Sequence, residues 1–121
     1  MNIVTKLLTY QNQVKILHWQ TTSYSEHQSL GSLYENLSGI IDEFVEVFMG
    51  KYGRILAQNN FSLTLENYKN MSPIALMSEM EAYFINEMPN MLNAKTDTDL
   101  LNIRDEMLAS VNKTKYLLSL K

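Results

Sequence analysis

The sequence predicts an all-α fold, one domain built as a bundle of four helices with a single long connection in its middle. Apolar residues recur at intervals of three and four rather than two, which is the period of a helix face. Only four glycines and two prolines occur in 121 residues, so long uninterrupted helices are permitted. A chain of this length makes one domain and buries a core sufficient to fold without staples.

The first helix is expected over about residues 3–21, with Ile3, Leu7, Tyr10, Val14, Leu17 and His18 on one stripe. The polar segment from Thr21 to Ser25 predicts a turn, with Ser25 as the N-cap of the second helix. That helix, about 26–52, carries Leu30, Leu33, Tyr34, Leu37, Ile40, Ile41, Phe44, Phe48 and Tyr52 on a helical period and stops at Gly53. From Arg54 to Ser72 the pattern weakens into a crossover, with a turn at Asn59-Asn60 and a short ordered piece around Thr64 to Tyr68. Ser72-Pro73 opens a third helix, about 73–93, whose end Pro89 bends or shortens. Residues Thr96 to Thr98 cap a fourth helix, about 98–119, with Leu100, Ile103, Met107, Val111, Thr114 and Leu118 inward. Short first and last links around a long middle connection are the connectivity of ferritin-like bundles.

Composition narrows the chemistry. There is no cysteine, so any transition metal is held by imidazole and carboxylate, which favours iron, manganese or zinc. Polar residues interrupt every apolar pair of the first twenty residues, which places the chain in the cytosol rather than in a membrane. The net charge is −3, and no stretch gathers the lysines and arginines into the stripe that binding nucleic acid through its phosphates requires.

The two histidines, His18 and His27, flank the first turn. Asp42 and Glu46 stand one helical turn apart on the second helix, where both carboxylates can grip one cation. At 100° per residue they lie about 130° and 170° from the centre of the apolar stripe, so they face away from their own bundle. His27 and Asp42 are separated by roughly 22 Å of helix rise, too far to share a metal within one chain. Two copies of the second helix, antiparallel about a two-fold axis near Glu35, bring His27 of one opposite Asp42 and Glu46 of the other. Gly31, Ser38 and Gly39 lie on the same face and permit close approach. Arg104 reads as structural, paired with an acid such as Asp105; Trp19 reads as core, and the eight methionines as core filling.

The run LHWQTTSYSEHQSLGSLYENLSGIIDEFVEVFMGKYG, from Leu17 to Gly53, resembles the DNA-protecting starvation proteins, the mini-ferritins of bacteria. Their His-Trp pair, second histidine and later Asp-x-x-x-Glu correspond here to His18-Trp19, His27, and Asp42 with Glu46. The resemblance implies a ferroxidase centre in which His18 and His27 of one subunit and Asp42 and Glu46 of its two-fold mate bind iron for oxidation by hydrogen peroxide or dioxygen. It also implies iron storage in a dodecameric cage; beside such a site Trp19, read above as core, has the alternative of accepting an oxidising equivalent. The chain departs from that pattern in a shorter link between the histidines, in Gly31 where an acidic residue often stands, and in the want of a lysine-rich tail. The stretches HWQTTSY, GKYGR and LLNIRDEML are also similar to small helical proteins of large tailed phages, which implies the alternative of a non-catalytic helical dimer or phage structural or interaction protein. The ferritin-type site inside one bundle is excluded, because the third and fourth helices contain no histidine.

Overall fold

A computed structural model describes residues 2–120. It is all-helical, a bundle of four helices: α1 (Asn2–Gln20), α2 (Tyr24–Tyr52), α3 (Pro73–Ala82) and α4 (Thr98–Ser119). Around the bundle α1 packs on α2, α2 on α4, α4 on α3 and α3 on α1. Among the described residues no helix is long and apolar enough to cross a membrane.

Local chemistry sets the boundaries. The N-cap of α2 is Ser23, not Ser25: its hydroxyl accepts from the Glu26 amide at 3.3 Å, so the helix begins two residues earlier. Glu26 is drawn elsewhere, its carboxylate accepting from Thr21 and from the Tyr68 hydroxyl at 2.7 Å each. That tie brings the end of the crossover to the start of α2. The helix stops at Gly53, whose φ of 90° is open to glycine and whose amide bonds the Met49 carbonyl. Ser72 caps α3 with Pro73 in its first turn.

The crossover returns along α1, so α3 runs parallel to α2. No helix or strand forms between Thr64 and Tyr68. The backbone there is irregular and pinned by side chains instead. Gln13, only 3% exposed, donates to the Glu66 carbonyl at 2.9 Å and accepts from the Glu66 amide at 2.7 Å. Gln20 does the same further on, accepting from the Tyr68 amide and donating to the Asn67 side chain.

The third helix is shorter than its pattern suggests. Pro89 has no amide to give the Ile85 carbonyl and its ring crowds that turn, so the coil loosens into a π turn at Tyr83–Glu87 and a 3-10 turn at Met88–Met91. In the π turn the Met88 amide bonds Tyr83, which leaves the Phe84 carbonyl without its usual partner. Arg104 supplies one: its guanidinium donates to that carbonyl at 2.8 Å and pairs with Asp105 at 2.9 Å. Met77, Met80, Met88 and Met107 fill the core as expected, whereas Met91 is 44% exposed.

The start of α4 is tied to the end of α2 by Asp97. The Asp97 side chain does not cap its own helix. Buried at 1% exposure, it accepts from the Tyr52 hydroxyl at 2.6 Å and from the Asn93 amide at 2.8 Å. Lys51 lies 3.8 Å away and bonds the Thr96 carbonyl and Asp99. These donors, the Asn93 amide foremost, hold the Asp97 carboxyl below its ordinary value of 3.8.

Two measurements check these boundaries and ties. Ser23→Ala loses the hydroxyl that accepts from the Glu26 amide and lowers unfolding stability by about 1 kcal/mol in urea titration. Because the folded pKa of Asp97 is depressed, its contribution is complete above the unfolded value and is lost as pH falls through the folded one. Asp97→Asn therefore lowers the urea midpoint at neutral pH and flattens its fall in acid.

Candidate metal centre

The link between α1 and α2 is only three residues, Thr21 to Ser23. It sets His18, in the last turn of α1, against His27, in the first turn of α2. The Nδ1 of His18 lies 2.7 Å from the His27 carbonyl oxygen, and the Nδ1 of His27 lies 2.9 Å from the His18 carbonyl oxygen. The rings stack with centroids 3.9 Å apart and planes 14° from parallel. A carbonyl can only accept, so each Nδ1 carries a proton, and in the neutral form of either ring the lone pair lies on Nε2. Metal-binding histidines are commonly held in this way, by a carbonyl on the far nitrogen.

Gly31 belongs to the same arrangement. A Cβ built there would fall 2.9 Å from Cε1 and 3.2 Å from Nδ1 of His18. The imidazole fills the space in which another residue's side chain would stand. The short link and the glycine are thus two sides of one adjustment: the link draws His18 over α2, and only glycine leaves room for it.

Asp42 and Glu46 project from the exposed face of α2. A hydrogen bond to Asp42, reinforced by its charge, raises the Glu46 carboxyl above its ordinary value. Among the described residues the ion pairs join Lys51 to Asp97 and Asp99, Arg104 to Asp105, and Lys115 to Glu81. Asp42, Glu46 and Glu35 take part in none of them. The structure therefore brings His18 to His27 and Asp42 to Glu46 but keeps the two pairs apart. Among the described residues no group of three or more histidines and acids is close enough to hold a metal ion.

Between the pairs runs a surface that the sequence reading missed. Trp19 is not core; it is 65% exposed. Lys15 sits one turn before it, its ammonium 5.3 Å from the Trp19 ring centroid and 4.2 Å from that of Tyr34. Toward the other end of α1, Val4, Leu8 and Gln11 face Ser38, Gly39, Asp42 and Val45 of α2, with Ile55 beside them, across an open groove of about 420 Å³. The spacing Val4, Leu8, Gln11, Lys15, Trp19 is a continuous stripe at intervals of four and three. That period was the available signal, and it was hidden because Lys15 and Gln11 interrupt its apolar character.

The profile of a family of unknown function, DUF5856, matches residues 18–118. The match begins at His18 and includes both histidines and both acids of the face. No curated protein and no solved structure matches the chain.

Gly31→Ala separates the roles of this corner. The added methyl must displace the His18 ring, while alanine strengthens the helix by roughly the 1 kcal/mol that one lost hydrogen bond costs. The expected outcome is an unfolding midpoint close to wild type with imidazole NMR resonances of both histidines moved; unmoved resonances would mean the ring is not held as described.

Proposed function

We propose that this chain, which belongs to the DUF5856 family, takes up ferrous iron as its substrate at a site shared between two subunits and oxidises it, in the manner of a mini-ferritin. The observation that carries the reading is the pairing of two imidazoles where α1 meets α2 and of two carboxylates toward the other end of α2. Among the described residues two imidazoles have their Nδ1 protons committed and their Nε2 atoms free, and two carboxylates one turn apart take part in no ion pair. Neither half suffices alone, and one two-fold axis beside Glu35 joins each to its complement twice.

The residues fit the substrate. Neutral imidazole with carboxylate suits Fe(II), and Mn(II) or Zn(II) would accept the same donors. Two ferrous ions each give one electron to a molecule of hydrogen peroxide, which takes up two protons and leaves as two waters. Asp42 and Glu46 of the partner subunit supply negative charge that favours the ferric product over the ferrous ion. His18 and His27 hold the metal without adding charge. Ferric mineral storage would further require a closed cage such as a dodecamer. Gly31 favours a second reading, a helical dimer or phage structural protein that keeps the fold without oxidase activity, because the site then lacks a third carboxylate.

Anaerobic titration with Fe(II), followed by peroxide, distinguishes them. Wild type is expected to bind and oxidise the metal, and His27→Ala and Asp42→Ala to lose on the order of 10–100-fold in affinity or rate. Three equal responses would overturn the reading. Refolding the two variants together provides a sharper check. Half the dimers become mixed, each with one intact site, so about a quarter of wild-type oxidation returns; no recovery would exclude a shared site.

A further inference from the structure

We propose that Trp19 of each subunit seats in the groove between α1 and α2 of its partner, beside Gly39, so that a second copy of this chain is what covers both. The inference rests on the back-to-back pairing of α2 in the proposed iron site, and adds the contact that fixes its register. His18 lies over Gly31, so Trp19 stands level with Leu30, five residues before Glu35. The two-fold axis lies in the contact plane and runs across the helices. It carries that level to five residues after Glu35, the level of Ile40 in the partner. The groove lined by Leu8, Gln11, Ser38, Gly39 and Asp42 brackets that level.

The chemistry of knob and groove agrees. An indole 65% exposed has an apolar body and one N–H to satisfy. The groove has an apolar floor in Val4, Leu8, Val45 and Ile55, and acceptor oxygens at its rim in Gln11, Ser38 and Asp42. Charge agrees too. The end of the face with His18, His27 and Lys15 meets the end with Asp42 and Glu46, and Lys15 arrives at the level of the partner's Glu35. Gly39 explains itself in the same way. A Cβ there touches nothing within 4 Å of its own chain, so no internal contact calls for a glycine that weakens the helix. An empty groove for a partner does.

Trp19 is the only tryptophan of the chain, so its fluorescence reads this position alone. Emission and light-scattering mass are to be followed together over a dilution series, without metal. The expected wild-type result is a dimer with blue-shifted emission that turns red as the mass falls to that of the monomer. Gly39→Leu fills the groove from a position whose Cβ meets nothing within 4 Å of its own chain. It is expected to keep at least wild-type helicity and melting while weakening dimerisation on the order of tenfold or more, with red emission; Gly39→Ala, which fills less of the groove, is expected to weaken dimerisation less. A dimer whose tryptophan stays exposed, and which Gly39→Leu leaves intact, would overturn the seating of Trp19 but not the pairing of α2. A monomer at every concentration would overturn both.

Discussion

Two imidazoles, each donating to the other's main-chain carbonyl, close the turn between α1 and α2, and that clasp is the source of most of the molecule's distinctive features. It satisfies the His18 carbonyl at the end of α1, where intrahelical partners are wanting. It fixes one tautomer in both rings and leaves both outer nitrogens uncommitted. It also demands a glycine beneath, since the His18 ring occupies the room a side chain at Gly31 would need. A longer link would release the ring from that position, and the glycine would lose its reason.

The bundle is tied by polar contacts at the ends of its helices more than by its loops. At one end Glu26 gathers Thr21 and Tyr68, so the start of α2 and the approach to α3 are held together. At the other, buried Asp97 gathers Tyr52 and the Asn93 amide, joining the end of α2 to the start of α4. A buried carboxylate is costly without such donors and stabilising with them. Among the described residues Asp42, Glu46 and Glu35, along the outer face of α2, take part in no ion pair. An outward face bearing unmatched acids at one end and imidazoles with a lysine at the other is complementary to itself when reversed.

The helices were legible because each has a dominant apolar stripe, and those stripes are the core: Leu7, Leu17, Leu37, Phe44, Met80 and Val111 are all buried. Gly53, Ser72-Pro73 and Pro89 act as sequence punctuation should. Positions decided by long-range polar contacts were not legible. Ser23 and Ser25 are equivalent by local rule, and Tyr68, distant in sequence, helps fix which of them caps α2 by holding Glu26. The crossover has no periodicity because its order comes from Gln13 and Gln20 rather than from its own pattern. Trp19 was misplaced because a large aromatic residue at helical spacing ordinarily points inward, and the stripe to which it belongs is interrupted by Gln11 and Lys15. For the candidate site, residue types and spacing singled out His18, His27, Asp42 and Glu46; the structure brings the two histidines together and keeps them apart from the two acids. The stacking of the rings, and the reason for Gly31, required coordinates.

The carboxamide of Gln13 meets both backbone groups of Glu66, as a neighbouring strand would. One side chain of α1 thereby does the work of a sheet edge, where the described residues form no sheet. Upstream of that anchorage the crossover is mostly exposed and few side chains bind it, so its length is free to drift over evolutionary time without disturbing the helices. From Glu66 to Tyr68 the spacing is locked to two glutamines seven residues apart on a helix. Insertions should therefore accumulate on one side of residue 66 and be purged on the other, dividing a featureless loop into a tolerant half and a strict one.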